Sequence, residues 1–290
     1  MNRRDLFKTC ALAGLPFAAA AAPATASSKA RLRAALCAYT FRKDLESKKL
    51  SYGDLVHFAV DNDIDGLDLT VYWFPNTSDE FLMPLKALAY RNGVEIYSIS
   101  IRTDMCVAPG EGADKEFAKL KTWVDAAAKL GAGHIRVFGG TVPKTSTEDI
   151  AAGWVVELLK RSADYAGSKG VILGLENHGG ITAKAARIIE IVKKVNSPWV
   201  GVNLDTGNFK TKVYEQIEML APYSVNVQVK SDVDDETGTH PSDWDRIGAM
   251  LKKTGYKGYL ALEYESNKPP MEEVPTLLKK LRAISAKYSS

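Results

Sequence analysis

Four short runs in the C-terminal half each place an oxygen-bearing side chain at the end of an apolar segment. These side chains are Glu176 in LGLEN, Asp205 in VNLDTGN, Gln228 in VNVQVKSD and Glu263 in LALEYE. About 30 residues separate most neighbours, a period typical of a strand followed by a helix. On neighbouring parallel strands, three carboxylates and an amide would share one end of the sheet, and such a cluster requires a cation. The pattern predicts a metal-dependent enzyme.

Apolar and amphipathic runs alternate along the chain and predict eight strands, each followed by a helix. The strands read as continuous apolar runs, as expected when both faces are buried. We therefore predict an α/β fold with a single domain, a (β/α)8 TIM barrel, with an open doubly wound sheet as the alternative. No glycine-rich phosphate fingerprint follows the first strand, which weakens that alternative. The predicted strands are 34–41, 64–70, 94–101, 134–138, 171–176, 200–205, 224–230 and 259–264, the helices are 52–61, 79–91, 116–130, 147–169, 183–195, 212–220, 243–253 and 271–286, and 231–240 is predicted as an acidic loop.

The N-terminus predicts export. The run NRRDLFK at 2–8 precedes an apolar stretch at 10–22 and a small-x-small site at 24–26, and this stretch is too short to span a membrane. The paired arginines resemble a twin-arginine signal, and an ordinary secretory leader is the alternative. We assign 1–26 to a signal peptide and 27–290 to the barrel. The mature protein is expected to be periplasmic or otherwise exported, with no membrane association after leader removal.

Composition and charge exclude several classes of protein. A net charge of +3, without a basic stripe, argues against nucleic acid as a partner, while 46% hydrophobic and 25% charged residues are ordinary for a globular protein. Of the three cysteines, Cys10 lies in the leader, so at most one disulfide could form in the mature chain. Cys37 and Cys106 lie in apolar runs and are expected to be inert core residues.

The four strand-end residues resemble the metal-dependent sugar phosphate isomerase/epimerase superfamily with the xylose isomerase-like barrel. The family pattern is Glu, Asp, His, Glu at these strand ends, holding one divalent ion. Here Gln228 replaces the histidine, and Asn208 in DTGN replaces a histidine that contacts substrate in many members. The resemblance implies Glu176, Asp205, Gln228 and Glu263 as metal ligands. This all-oxygen set favours Mn²⁺ or Mg²⁺, with Co²⁺ as a further candidate, over Zn²⁺.

The same resemblance implies a reaction. In the family the two glutamates transfer a proton on opposite faces of a sugar carbon, and the metal stabilises the enediolate. Glu176 and Glu263 are the matching residues, and the sequence leaves open which of them is the base. Because glutamine is a weaker donor than imidazole, an inactive or metal-free relative is an alternative.

Other side chains are expected to reach the same mouth and contact substrate. His178 shares a face with Glu176 if the strand persists, although it could equally be a loop histidine. Lys230 resembles the lysine of the family's seventh strand. It could polarise a substrate oxygen, or it could be a lysine at the rim of the barrel whose charge is paired within the protein. Arg136, inside a predicted strand, needs an anionic partner, for which Glu176 is the obvious candidate. The remaining predicted substrate-binding residues are Asn208, Tyr39 and Asp68.

Export constrains the substrate, because sugar phosphates are mainly cytoplasmic. We expect a non-phosphorylated sugar or keto-sugar as the small-molecule partner, and isomerisation or epimerisation as the reaction. A lyase or hydratase acting on 3-keto-glycosides would use the same base, and a non-catalytic sugar-binding protein is a further alternative. Endonuclease chemistry is disfavoured, because it uses three metals held by many histidines and this chain has four histidines in all. A homo-oligomer is compatible with the resemblance, but no interface signal supports a number.

Overall fold

Eight parallel strands close into a barrel in the computed structural model, which describes residues 29–289. The barrel strands are β1 (Arg31–Cys37), β2 (Gly66–Thr70), β3 (Glu95–Ser100), β4 (His134–Phe138), β5 (Ile172–Glu176), β6 (Val200–Asp205), β7 (Ser224–Lys230) and β10 (Lys257–Glu263). Around the barrel their order is β1, β10, β7, β6, β5, β4, β3, β2, so that chain neighbours are mostly spatial neighbours. The predicted leader, 1–26, lies outside the described residues.

Amphipathic helices surround the barrel and bury their apolar stripes against it. In α5, for example, Thr147 is the N-cap, and its side chain accepts a hydrogen bond from the backbone amide of Ile150. Among residues 29–289, no helix is both long and apolar enough to cross a membrane. The helices are α1 (Arg42–Glu46), α2 (Tyr52–Asp61), α3 (Asp79–Arg91), α4 (Glu111–Leu130), α5 (Glu148–Ser168), α6 (Ala185–Val195), α7 (Val213–Leu220), α8 (Trp244–Thr254) and α9 (Pro270–Tyr288), and short 3₁₀ turns follow β1, β2 and α7 at Ala38–Phe41, Val71–Trp73 and Ala221–Tyr223.

The predicted barrel and its eight strand–helix units are confirmed, with two corrections. The first strand begins at Arg31 and ends at Cys37, earlier than predicted, because its polar arginines lie at the rim, where Arg33 pairs with Glu95 at 3.0 Å. The segment predicted as an acidic loop contains a hairpin instead. Its strands, β8 (Asp232–Asp235) and β9 (Gly238–Pro241), pair antiparallel beside the mouth of the barrel.

The barrel interior is polar through its middle, although the strands read as apolar from the sequence. The Tyr97 hydroxyl donates to Asn226 Oδ1 at 3.1 Å, and Asn226 Nδ2 donates to Asn203 Oδ1 at 2.8 Å. Asn203 Nδ2 in turn donates to Gln228 Oε1 at 2.8 Å. Below them the Tyr97 and Tyr259 rings stack at 3.9 Å. Since each buried amide has partners, this network forms an ordered floor beneath the carboxyl ends of the strands.

Candidate active site

Strand register brings the predicted site residues to one mouth. In the parallel ladder Asp205 of β6 pairs with Gln228 of β7, and Lys230 of β7 pairs with Glu263 of β10. Glu176 of β5 pairs with Phe138 of the neighbouring strand β4. These residues lie at or near the carboxyl ends of their strands, the face where (β/α)8 barrels carry their active sites.

Lys230 lies between the carboxylates of Asp205 and Glu263. Its Nζ is 2.5 Å from Glu263 Oε1 and 3.3 Å from Asp205 Oδ2, and it also contacts Glu265 Oε2. Gly207 leaves room for this side chain, because a Cβ there would come within 2.6 Å of Lys230 Cγ. The ammonium group of Lys230 therefore lies between the carboxylates where the sequence predicted a metal ion.

The proximity of these charges shifts their pKa values. Burial acts to raise the pKa of Glu263, but the Lys230 charge and hydrogen bond outweigh it and leave that pKa lowered. Burial raises the pKa of Asp205 despite Lys230, and the negative charges of Glu263 and Glu176 add to the rise. Although burial acts to lower it, the pKa of Lys230 is raised by the surrounding Asp205, Glu263 and Glu265. Lys230 thus remains an ammonium ion at neutral pH.

Glu176 has a different set of partners. Its Oε2 lies 2.9 Å from Arg136 Nε, which confirms the predicted pair. Its Oε1 lies 2.8 Å from His178 Nδ1 and accepts a hydrogen bond from Asn208 Nδ2 at 3.0 Å. The His178 ring stacks on Phe138 with centroids 4.0 Å apart, while its side chain remains 52% exposed. Glu176 is therefore held from several directions and connected to solvent through His178.

Gln228 and Asp68 lie beneath the mouth rather than in it. Both are fully buried, and Gln228 Nε2 donates to Asp68 Oδ2 at 3.0 Å. Asp68 also accepts a hydrogen bond from Ser100 at 2.9 Å, and burial raises the pKa of its carboxyl. Asp68 was predicted to contact substrate, but the structure places it under Gln228, whose amide it orients.

A cavity of about 140 Å³ opens above this floor. It brings together seven of the residues predicted from sequence, whereas Asp205, Gln228 and Asp68 do not line it. Both glutamates of the predicted proton-transfer pair reach it. The lining residues are Tyr39, Tyr72, Arg102, Arg136, Phe138, Glu176, His178, Asn208, Lys230, Glu263 and Glu265.

Several site residues were missed by the sequence reasoning, among them Cys37, Asn203 and Glu265. Cys37, expected to be inert, places its Sγ 3.2 Å from Glu263 Oε2. Asn203 donates to both Gln228 and Glu176, the latter at 3.4 Å. Glu265 contacts Lys230. For Asn203 and Glu265 a signal existed, since each lies two positions from a predicted site residue and so points to the same side of a strand that continues.

The oxygen atoms of the four predicted metal ligands suit a divalent ion in chemistry but not in their present arrangement. Three carboxylates and an amide oxygen are ligands that hard cations prefer, and Asp205 Oδ2 is buried without a hydrogen-bond partner. In residues 29–289, however, no three His, Cys, Asp or Glu side chains are arranged around a common point. Instead, Lys230 pairs with Asp205 and Glu263, and Arg136 pairs with Glu176. The chemistry of the donors fits, provided that Lys230 withdraws from Asp205 and Glu263 and that Gln228 Oε1, which accepts from Asn203 at 2.8 Å, turns toward the mouth.

Comparison with known proteins establishes the family. The family model for the xylose isomerase-like TIM barrel matches residues 56–284, most of the described chain. The chain belongs to the xylose isomerase-like TIM barrel family. No curated protein matches it in sequence.

Solved structures of this fold are similar over almost their whole length. The IOLI protein with a bound zinc atom has a TM-score of 0.71 at 17% identity, covering 90% of this chain and 99% of that one. D-psicose 3-epimerase with D-tagatose from Clostridium cellulolyticum H10 has a TM-score of 0.70 at 17% identity, covering 89% and 98%. The probable 3-DHS dehydratase AsbF from Bacillus anthracis has a TM-score of 0.63 at 17% identity, covering 88% and 98%. At this identity the xylose isomerase-like fold is what these proteins share with the chain.

Proposed function

We propose that this xylose isomerase-like protein isomerises or epimerises a non-phosphorylated sugar or keto-sugar by proton transfer through an enediolate. The observation that carries the proposal is that Glu176 and Glu263 line one small cavity, each paired with a buried cation. Paired carboxylates in such surroundings can abstract a proton next to a carbonyl and return one. The D-psicose 3-epimerase among the similar solved structures supports a free sugar as the substrate.

Glu263 is the better candidate for the base. Among residues 29–289 its Oε2 has only the Cys37 thiol at 3.2 Å, a weak donor, and its Oε1 pairs with the buried ammonium of Lys230. When the carboxylate takes the proton from carbon, the electron pair of the C–H bond forms a double bond to the carbonyl carbon. The π electrons of the carbonyl move onto its oxygen, which gives the enediolate. Lys230 and Arg136, both cationic and lining the cavity, stabilise the negative charge that develops on the substrate oxygens.

Glu176 is the better candidate for returning a proton. His178 Nδ1, 2.8 Å from Glu176 Oε1, belongs to a half-exposed ring and can bring a proton from solvent. Arg136 fixes the other oxygen of the carboxylate at 2.9 Å, which orients the group. Asn208, which also donates to Glu176 Oε1, keeps that oxygen at the edge of the cavity.

We further propose that Glu176, Asp205, Gln228 and Glu263 hold a divalent ion, most readily Mn²⁺ or Mg²⁺, since all four donors are oxygens. The bound ion would supply a Lewis acid for the substrate carbonyl. Bound zinc in the similar IOLI structure supports a metal in this fold. Lys230 must move from Asp205 and Glu263 to allow it, and its contact with half-exposed Glu265 gives the ammonium a second anionic partner.

A second reaction remains a candidate because the first step is the same. In a 3-keto-glycoside, loss of the C2 proton to Glu263 is followed by elimination of the aglycone, so the protein would be a lyase or hydratase. The dehydratase in the comparisons supports elimination on this fold.

We also propose that the protein is exported by the twin-arginine route, because RRDLFK precedes an apolar stretch. The location of the protein in an expressing bacterium, with both arginines replaced by lysine as the control, tests the route.

The proposed function is tested by incubating the protein with free ketoses, aldoses and 3-keto-glycosides in D₂O containing Mn²⁺. NMR should show deuterium entering next to the carbonyl of at least one compound, together with an epimer, isomer or elimination product. Elemental analysis of the same sample should show a divalent ion near one equivalent. Binding of sugars without any exchange would show a non-catalytic sugar-binding relative and reject the enzymatic proposal.

A further inference from the structure

The reaction cavity is too small to be the whole binding site. Sites for small molecules usually measure roughly 300–1,000 Å³, and this cavity measures about 140 Å³. Two neighbouring cavities share residues with it. One, of about 400 Å³, shares Asn208, Lys230, Glu263 and Glu265, and the other, of about 410 Å³, shares Tyr72 and Arg102.

The two neighbouring cavities differ in chemistry. The 400 Å³ cavity lies beside the β8–β9 hairpin and is lined by polar groups that include Asp232, Asp234 and Asn267, which suit the hydroxyls of a sugar. The 410 Å³ cavity, here called the aryl groove, is lined by Tyr72, Phe74, Arg102, Lys119 and Trp123 with a few small neighbours. Among residues 29–289 no carboxylate lines the aryl groove, but Lys119 is paired with Glu116 at 3.5 Å. Arg102 is therefore the cation that suits an aromatic group carrying an oxygen with negative charge.

The aromatic walls of the aryl groove are held in place by packing behind them. Phe74 packs edge-on against Tyr52, with centroids 4.5 Å apart, and against Phe81 at 4.9 Å. Trp123 lies 6.2 Å from Phe74 at an angle of 62°. Because these rings are supported, binding an aromatic ring between them requires little reordering.

Arg102 stands between the aryl groove and the reaction cavity. Its guanidinium lies 4.2 Å above the Tyr72 ring, and it forms no ion pair with the residues at 29–289. Tyr72 in turn accepts a hydrogen bond from Arg136 Nη2 at 3.2 Å, and Arg136 pairs with Glu176. The groove is thus joined directly to the proton-transfer groups, and a free cation lies at the junction.

We propose that the aryl groove binds an aromatic aglycone and that the substrate is therefore an aryl 3-keto-glycoside, whose 3-keto group supplies the carbonyl next to the C–H bond that lies over Glu176 and Glu263. This inference rests on the proposed function for its sugar end. The ring packs among Tyr72, Phe74 and Trp123, while Arg102 faces its phenolic or carboxylate oxygens. The sugar hydroxyls then lie toward the polar cavity.

Calorimetry with 4-nitrophenyl and methyl glycosides of glucose and galactose tests the aryl groove. One aromatic ring packed against aromatic side chains should make the aryl member of a pair bind about tenfold more tightly. Trp123→Ala and Arg102→Met should each reduce this preference to about twofold or less. Arg91→Met, an exposed arginine at the end of α3, is the matched control and should retain it. Arg102 is exposed, so its variant should fold normally even if the Trp123 variant does not.

Equal binding of aryl and methyl glycosides, a preference that survives in both groove variants, or no binding of any aryl glycoside would overturn the inference. The D₂O experiment on free sugars separates this failure from failure of the proposed function. Exchange on free sugars without an aryl preference would reject the aryl groove alone. A groove-dependent aryl preference without exchange on any compound would retain the binding site and reject the enzymatic proposal.

Discussion

Glu176 and Glu263 line the same cavity, but their surroundings differ. Three partners converge around Glu176, namely the Arg136 guanidinium in an ion pair at 2.9 Å, His178 Nδ1 at 2.8 Å and the Asn208 amide, which donates at 3.0 Å. Around Glu263 the partners are a thiol and the ammonium of Lys230. Both oxygens of Glu176 thus face a cation or a firm donor, whereas Glu263 Oε2 faces only a weak thiol donor among residues 29–289 and is the oxygen left to accept a proton.

This difference assigns unlike roles to two residues of one type. The Glu263 side, with Asp205, Lys230 and Cys37, is the side where the charge arrangement can change. The Glu176 side is fixed in position and joined to solvent through half-exposed His178. We therefore expect substitutions on the two sides to differ in kind as well as in size.

The largest effect on activity is expected for Glu263→Gln. An amide cannot accept the substrate proton, and general base catalysis contributes roughly 10²–10⁴-fold to rate. The rate of deuterium incorporation in D₂O should fall by that factor, measured by NMR on the most active compound. Glu272→Gln is the matched control, because Glu272 is exposed in the first turn of α9, away from the cavity. A loss of activity as large in the control variant would contradict the assignment of Glu263 as the base.

The next effect is on stability. Lys230→Met leaves Asp205 and Glu263 without their buried cation, and removing one partner of a buried ion pair costs about 3–5 kcal/mol of unfolding free energy. Chemical denaturation in EDTA measures this loss. Since the variant leaves these carboxylates available, added Mn²⁺ should raise its thermal midpoint more than that of the unsubstituted protein.

Lys210→Met provides the control for Lys230. Lys210 pairs with Asp234 at 3.1 Å, but its side chain is 66% exposed, so its loss should cost less than about 1 kcal/mol. Equal losses in the two variants, or Mn²⁺ stabilising only the protein that retains Lys230, would show that the ammonium does not lie in the cation position.

The smallest effect is expected for Cys37→Ala. Its thiol is a weak donor to Glu263 Oε2 at 3.2 Å, so the catalytic rate constant should change by about threefold or less while KM stays constant. Cys37→Ser, which restores a donor, should return the rate toward the original value. Cys106→Ala, at the other buried free cysteine, should change neither constant. A large change in KM for Cys37→Ala would instead indicate a distorted cavity.

The fold followed from the sequence because helix and strand periods alternate clearly, and the site followed because parallel strands bring their carboxyl ends together. The pairing of Arg136 with Glu176 was also predicted, since a buried guanidinium needs an anion on a neighbouring strand. The bounds of β1 were missed because its arginines lie at the rim, and spacing alone does not show which strand residues lie there.

The internal arrangement of the site could not be read from spacing. Lys230 shares a strand face with Gln228, but only packing shows that the longer side chain reaches Asp205 and Glu263 while the amide turns down to Asp68. Likewise the role of Cys37 depends on closure of β1 against β10, the contact between the two ends of the chain. Such contacts across the barrel have no local signal.

The central claim is that Glu263 removes the substrate proton and Glu176 returns one. Its most direct test compares Glu176→Gln and Glu263→Gln for loss of label from a single epimer deuterated at the reacting carbon. We predict that Glu176→Gln still releases label to solvent without forming product, because Glu263 can remove and return a proton on one face, and that Glu263→Gln releases none. Release by Glu263→Gln with none by Glu176→Gln would reverse the assignment and contradict the account.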